Sequence, residues 1–109
     1  MRIWDIELKK LCRNHLLAEH RELHAIWAVI TKNKNGYAHH PETMRWREKL
    51  PALCRRHQQQ VKEFERRGYC HKSPLPVKYA KGSAQQRSFI NTPKEQIKIL
   101  RNKKCQCKI

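Results

Sequence analysis

The sequence predicts an all-α protein, a compact bundle of three main helices. Three observations lead there. Apolar residues recur at helical spacing in three separate stretches. No two stretches alternate apolar and polar residues as paired strands would. The 109 residues include only 3 glycines, and 39% are hydrophobic, which suits a packed helical protein better than a disordered one. A chain of this length is expected to form one domain, residues 1–109, with a basic segment from about 71 to 109.

Residues 1–10 read as a short lead-in. Over residues 12–31, Cys12, Leu16, Leu23, Ile26, Trp27 and Ile30 fall on one arc at 100° per residue, so this stretch is the first helix. Asn33, Lys34, Asn35 and Gly36 are turn formers that stop it. Over residues 42–67, Trp46, Leu50, Leu53, Cys54, His57, Val61 and Phe64 share one face. Pro51 interrupts that run, and a proline inside a helix costs ~3 kcal/mol. The apolar arc keeps its phase across Pro51, so the expectation is a kinked helix or two collinear ones. Gly68 after Arg66 and Arg67 is a typical stop. Residues 69–91 hold Pro74 and Pro76 and read as irregular, with a short extended piece over 77–79. The third helix begins at Thr92: threonine caps, Pro93 suits the first turn, and Glu95 completes a capping box. Ile97 and Leu100 would then face the core.

The chain carries 25 Lys+Arg against 9 Asp+Glu, a formal net charge of +16. The excess is +3 over residues 1–40, +4 over 41–70 and +9 over 71–109. Such a charge predicts a polyanionic partner, nucleic acid first, with the C-terminal third following a phosphate backbone. No apolar run approaches the ~20 residues that span a bilayer. Met1-Arg2 leads into Trp4-Asp5 rather than into the apolar run of a signal peptide. The expected location is cytoplasmic and nucleoid-associated, where the 5 cysteines would be mostly reduced thiols.

The stretch richest in chemistry is His15-Leu16-Leu17-Ala18-Glu19-His20-Arg21-Glu22-Leu23. On the helical wheel Glu19 falls inside the apolar arc, His15 and Glu22 sit at its edge, and Arg21 points away. A carboxylate in an apolar arc is costly unless paired. The plain expectation for Glu19 is therefore pairing with a core arginine or capping by the N-terminal segment. Taken alone, Glu22 reads as a surface glutamate and His15 as a half-buried structural histidine.

The run HLLAEHREL at 15–23, with EKLPALCRRHQQQVKEFERRGY at 48–69, resembles the pyrimidine-dimer DNA glycosylase and abasic-site lyase family, the phage endonuclease V type. The opening MRIWDI and HHPET at 39–43 are similar to a compact cellular branch of that family. The resemblance implies three helices with the N-terminal segment threaded between them. It also implies a nucleophile, the terminal α-amine, which attacks C1′ beneath the damaged base and forms a Schiff base. A glutamate on the first helix assists, β-elimination breaks the strand, and the extruded base is the one opposite the lesion. Residue by residue, the family glutamate matches Glu22, the arginine beside the amine matches Arg2, the arginine before the glutamate matches Arg21, and the preceding histidine matches His15. The implied catalytic residues are Met1 and Glu22, and the implied substrate-binding residues are Arg2, His15 and Arg21.

The chemistry suits an α-amine. With a pKa of about 7.7–8, roughly a tenth is free base near neutrality, against well under a thousandth of an ordinary lysine. The sequence departs from the phage type in three places. Phage-type members expose a threonine after losing the initiator methionine, whereas Arg2 predicts that Met1 is retained and that its own amine takes the threonine's place. Ala25 stands where the phage type carries another arginine. The aromatic C-terminal segment is replaced by Arg101-Asn102-Lys103-Lys104-Cys105-Gln106-Cys107-Lys108-Ile109.

Cys105-x-Cys107, Cys70-His71 and His39-His40 contain ligand-type residues, but zinc sites more often space paired cysteines by two residues or more. Free thiols and surface histidines are the expectation, with no metal and no cofactor. Cys12, Cys54 and His57 lie on apolar faces and read as core, as do Trp4, Trp27 and Trp46, with Trp4 alternatively a wedge into a base stack. The reading is thus a bifunctional DNA glycosylase and abasic-site lyase. Its partner is double-stranded DNA carrying ultraviolet damage or abasic sites, and the protein acts as a monomer without a membrane. The alternatives are a non-enzymatic basic nucleic-acid-binding protein and an abasic-site lyase without dimer specificity.

Overall fold

The computed structural model describes residues 2–70, 74–75, 81–103 and 105–108. A 3₁₀ turn at Leu8–Lys10 precedes four helices: α1 (Arg13–Thr31), α2 (Pro41–Trp46), α3 (Leu50–Arg67) and α4 (Pro93–Arg101). No strand occurs among the described residues, and the fold is all-α. Among the described residues, no helix is long and apolar enough to cross a membrane.

Of the two expectations for residues 42–67, two helices form rather than one kinked helix. The break lies at residues 47–49, ahead of Pro51, where Glu48 takes a left-handed φ of 60°. Pro51 therefore sits in the first turn of α3, where its missing N–H removes no intrahelical bond. The next amide, that of Ala52, donates to the Ser83 carbonyl at 3.3 Å. At the other end α3 stops as expected, with Gly68 left-handed at φ 79°. The short 3₁₀ turn had no signal in the apolar pattern. The capping box of α4 forms as predicted: the Glu95 amide donates to Thr92 Oγ1, and the Thr92 amide donates to Glu95 Oε1. The extended piece expected over 77–79 lies outside the described residues.

The helices enclose two apolar clusters. The first joins Ile3 to Leu23, Ile26 and Trp27 of α1 and to Leu50 and Leu53 of α3. The second joins Trp4, Ile6, Leu8 and Leu11 to Leu16 of α1, Phe64 of α3 and Leu100 of α4, with Ile97 packed against it. Early α1 therefore meets late α3, and late α1 meets early α3, so the two helices run antiparallel. All three tryptophans are buried, as the sequence reading expects. The N-terminal segment runs between the clusters, with Ile3 in one and Trp4 in the other. Successive side chains of an extended chain point to opposite sides, which permits this split.

Candidate active site

The N-terminal segment is held chiefly through its backbone. The Trp4 amide donates to Glu19 Oε1 at 2.7 Å. Arg56 on α3 donates to both oxygens of Glu19 at 3.0 Å and also to the carbonyls of Trp4 and Ile6. Gln60 Nε2 completes the set with a 2.6 Å bond to Glu19 Oε2. Glu19 is 1% exposed, so the acid in the apolar arc has both a core arginine and a cap from the N-terminal segment.

Arg45 plays the same part from α2. It donates to the Ile3 carbonyl at 3.0 Å, to both oxygens of Asp5, to Ser88 O and to the buried Glu42. Trp46 Nε1 shares the Glu42 carboxylate at 2.9 Å. From α4, Gln96 accepts the Asp5 amide at 2.7 Å and returns a bond to Asp5 Oδ2. Arg67 donates to the carbonyls of Leu8 and Leu11. An extended segment buried among helices must satisfy its own backbone groups. These guanidinium and carboxamide groups do so.

The expected site residues fall at distinct places. Arg2 donates to Asn91 Oδ1 at 3.0 Å, and its guanidinium lies 4.9 Å from the Trp4 ring centroid. His15 meets the same ring edge-on at 5.8 Å, and Lys103 Nζ approaches it at 6.0 Å. The structure thus gathers Arg2 and His15 around Trp4. Glu22 is half-buried on α1, one turn beyond Glu19, and Arg21 is exposed. Met1, the expected nucleophile, lies outside the described residues.

Two further clusters were not anticipated as clusters. His20 and His24 of α1 and His57 of α3 offer ligand atoms within 4.8 Å of one another. His20 stacks on His57 at 5.1 Å, and its Nδ1 lies 2.8 Å from Gln60 Oε1. His57 is buried, but among histidines as well as apolar side chains. At the start of α1, Cys12 is half-buried rather than part of the core. Its Sγ lies 3.2 Å from His15 Nδ1, which in turn lies 3.1 Å from Cys107 Sγ. Burial works against the Cys12 thiolate, but hydrogen bonds from the His15 backbone, the Cys107 thiol and nearby amides outweigh it and lower its pKa. Burial pushes the Cys107 thiol up to about 12. Burial, helped by Lys103, holds the His15 imidazole below its ordinary value, so the ring is neutral near neutrality. The other ligand-type residues do not join this group. Cys70 is exposed, His71 lies outside the described residues, His39 is exposed, and His40 accepts the Glu42 amide as the cap of α2.

Sequence reading did not name Arg45, Arg56, Gln60 or Gln96. The usable signal was Glu19 itself, whose place on the apolar arc required a cationic partner. A cleft of about 880 Å³ is lined by Lys9, Arg55, Lys62, Arg66 and Arg87, with Asp5, Glu7 and Glu63 among them, and contains none of the expected site residues. It offers positive charge for a phosphate backbone, beside the N-terminal segment rather than at Glu22.

No curated protein and no solved structure matches the chain. A family model described as pyrimidine dimer DNA glycosylase matches residues 1–77. The match covers the N-terminal segment, Glu19 and Glu22 on α1, and the arginines of α2 and α3 that hold the segment's backbone, while Gln96, Cys105 and Cys107 lie beyond it. With more than two-thirds of its length matched, including Glu19, Arg45 and Arg56, which seat its N-terminal segment, the chain belongs to the pyrimidine dimer DNA glycosylase family.

Proposed function

We propose that the protein is a DNA glycosylase with abasic-site lyase activity, acting on duplex DNA that carries pyrimidine dimers, with the Met1 α-amine as nucleophile and Glu22 as its acid–base partner. The amine nitrogen attacks C1′ of the damaged nucleotide. The bond from C1′ to the base breaks, and its electron pair leaves with the base, which takes up a proton. The amine nitrogen then sheds a proton, its lone pair expels O4′ from C1′, O4′ takes up a proton as the sugar ring opens, and the resulting iminium makes the C2′ proton acidic. Glu22 removes that proton, and the bond from C3′ to the 3′-phosphate oxygen breaks. Water then releases the sugar fragment and restores the amine. Arg2 and Arg21 hold phosphates on either side of the reacting sugar. His15, whose Nδ1 faces the thiols, presents Nε2 to the backbone.

The observation that carries this reading is the direction of the N-terminal segment along α1. The Trp4 amide is fixed on Glu19, and Ile3 packs with Leu23 and Ile26, about one turn further along the helix. Followed toward its start, the chain climbs α1 past Glu19 in the direction of Glu22. A consecutive residue adds at most ~3.6 Å of reach, which suits a short-range partnership between the terminus and that turn.

The test is borohydride trapping with untagged protein on two duplexes, one carrying a pyrimidine dimer and one an abasic site. A covalent adduct is expected on both, with mass spectrometry locating it on the N-terminal peptide. Glu22→Gln and a short N-terminal extension should each abolish it. Absence of an adduct on both duplexes overturns the enzyme in favour of a DNA-binding protein. Trapping on the abasic duplex alone removes the glycosylase step and leaves the lyase.

A further inference from the structure

We propose that Cys12, His15, Cys105 and Cys107 form a structural zinc site that fastens the C-terminal segment to the start of α1. The four ligand atoms come from two short sequence pairs. Cys12 is the N-cap of α1, and His15 follows three residues later, so both side chains lie on one face of the first turn. Cys105 and Cys107 are separated by one residue in a non-helical stretch, where alternate side chains point the same way. That geometry makes the one-residue gap usable here. The two pairs meet so that all four ligand atoms lie within 4.8 Å of one another. A tetrahedral zinc with bonds of about 2.3 Å to sulfur and about 2.0–2.1 Å to nitrogen separates its ligand atoms by roughly 3.5–3.8 Å. Small side-chain adjustments bring the set to that figure.

The surroundings fit the same ion. The Cys12 amide donates to Cys107 Sγ at 3.1 Å, the kind of backbone bond that supports a metal-bound thiolate. The Lys108 amide donates to the Lys10 carbonyl at 2.7 Å, so the tail is already in register with the chain ahead of α1. Three thiolates, a neutral imidazole and a divalent ion sum to one negative charge. Arg13 and Lys103 line the cleft of about 560 Å³ that opens onto Cys12, His15 and Cys105, and they balance it. Sulfur-rich ligands with one imidazole select zinc over the harder divalent ions. Four protein ligands leave no open position, which makes the site structural rather than catalytic. Its effect is to hold Lys103 beside the Trp4 ring, near Arg2. Two of the ligands lie beyond the residues that the family model matches, so the site is a feature of this chain's own tail.

The test uses the full untagged chain, purified under reducing conditions and given zinc chloride at about one equivalent, with metal content measured by mass spectrometry. About one zinc per chain is expected. Cobalt substitution should give a thiolate charge-transfer band and the visible bands of a tetrahedral ion. Cys105→Ser and Cys107→Ser should each weaken zinc binding by more than the roughly 10–100-fold that follows loss of a group merely supporting a ligand. Failure of the wild-type chain to take up zinc overturns the proposal. So does zinc retained at full content in the Cys105→Ser/Cys107→Ser double variant, which would move the ion to His20, His24 and His57. If the serine variants do not fold, the cobalt spectrum of the wild type decides, and absence of the charge-transfer band overturns the proposal.

Discussion

Two polar clusters are built on α1, one at its middle and one at its start, and they are composed in opposite ways. At Glu19 a single carboxylate faces four donated hydrogen bonds, from the Trp4 amide, Arg56 and Gln60. Acceptors and donors are matched, and the result is a finished joint between the N-terminal segment, α1 and α3. At Cys12, His15, Cys105 and Cys107 every side chain brings a lone pair, and thiols are weak donors. The first cluster has its cation built in as a guanidinium. The second has its lone pairs converging with no cationic side chain among them. Counting donors against acceptors therefore separates a cluster that holds the fold by itself from one shaped for an ion.

The largest expected effect comes from breaking the finished joint. Arg56→Met leaves the Glu19 carboxylate buried without its cation and frees the carbonyls of Trp4 and Ile6. The cost should be about 3–5 kcal/mol in urea denaturation, with much of it recovered when Glu19→Gln is added to remove the charge. Glu22→Gln, one turn away at a half-buried position, should change stability by less than about 0.5 kcal/mol while abolishing the trapped adduct. The two neighbouring glutamates would then divide between holding the terminus and acting with it. An Arg56→Met cost below about 1 kcal/mol would show that the joint is not what seats the segment.

A smaller effect separates the clusters through the backbone. Gly82 has φ +113°, and a Cβ there would sit 2.0 Å from the Glu48 carbonyl oxygen. The next residue pairs with Glu48 at 2.7 Å and accepts the Ala52 amide. A few residues on, Ser88 accepts from Arg45, and Gln86 donates to the Arg45 carbonyl. Gly82→Ala should cost about 2–3 kcal/mol by straining this loop. It should also loosen the Arg45 grip on Ile3 and reduce trapping, yet leave zinc content unchanged. Loss of zinc together with stability would mean that the two regions unfold as one unit.

Most helices were legible because their apolar positions keep a period. α1 begins within one residue of the predicted stretch, and the Thr92–Glu95 box announces α4. Pro51 made an interruption between α2 and α3 legible, but not its place at residues 47–49. The apolar arc continues across residues 47–49, and the break depends on a loop more than thirty residues later that caps α3 through Ser83. Glu19 could be read as paired, but its partner could not, because Arg56 is one of 25 cationic residues and nothing local marks it. The thiol cluster was hidden for a similar reason. Cys12 reads as core on the wheel of α1, and Cys105 and Cys107 read as an isolated pair. Only the packing of the tail against the start of α1 puts them together.

The smallest effect concerns a third joint built like the first but nearer solvent. Arg67 donates to the Leu8 and Leu11 carbonyls and to Glu63 at 2.6 Å, so it ties the lead-in to α3 as Arg56 does deeper inside. Hydrogen bonding from Arg66, opposed by burial and then joined by Arg67, holds the Glu63 carboxyl below its ordinary value. A carboxyl with a depressed folded pKa binds its proton more readily in the unfolded chain. Its contribution is therefore present in full above the ordinary glutamate range, about 4.3, and is lost as pH falls through the lower folded value. Glu63→Gln should cost about 1 kcal/mol near neutrality, since Arg66, one of its two cationic partners, is exposed to water. The gap from wild type should close as denaturation is repeated at successively lower pH. A gap that stayed constant into acid would assign the cost to side-chain packing. Arg67 would then hold the lead-in through its carbonyl bonds alone, and the ion pair would be incidental to the joint.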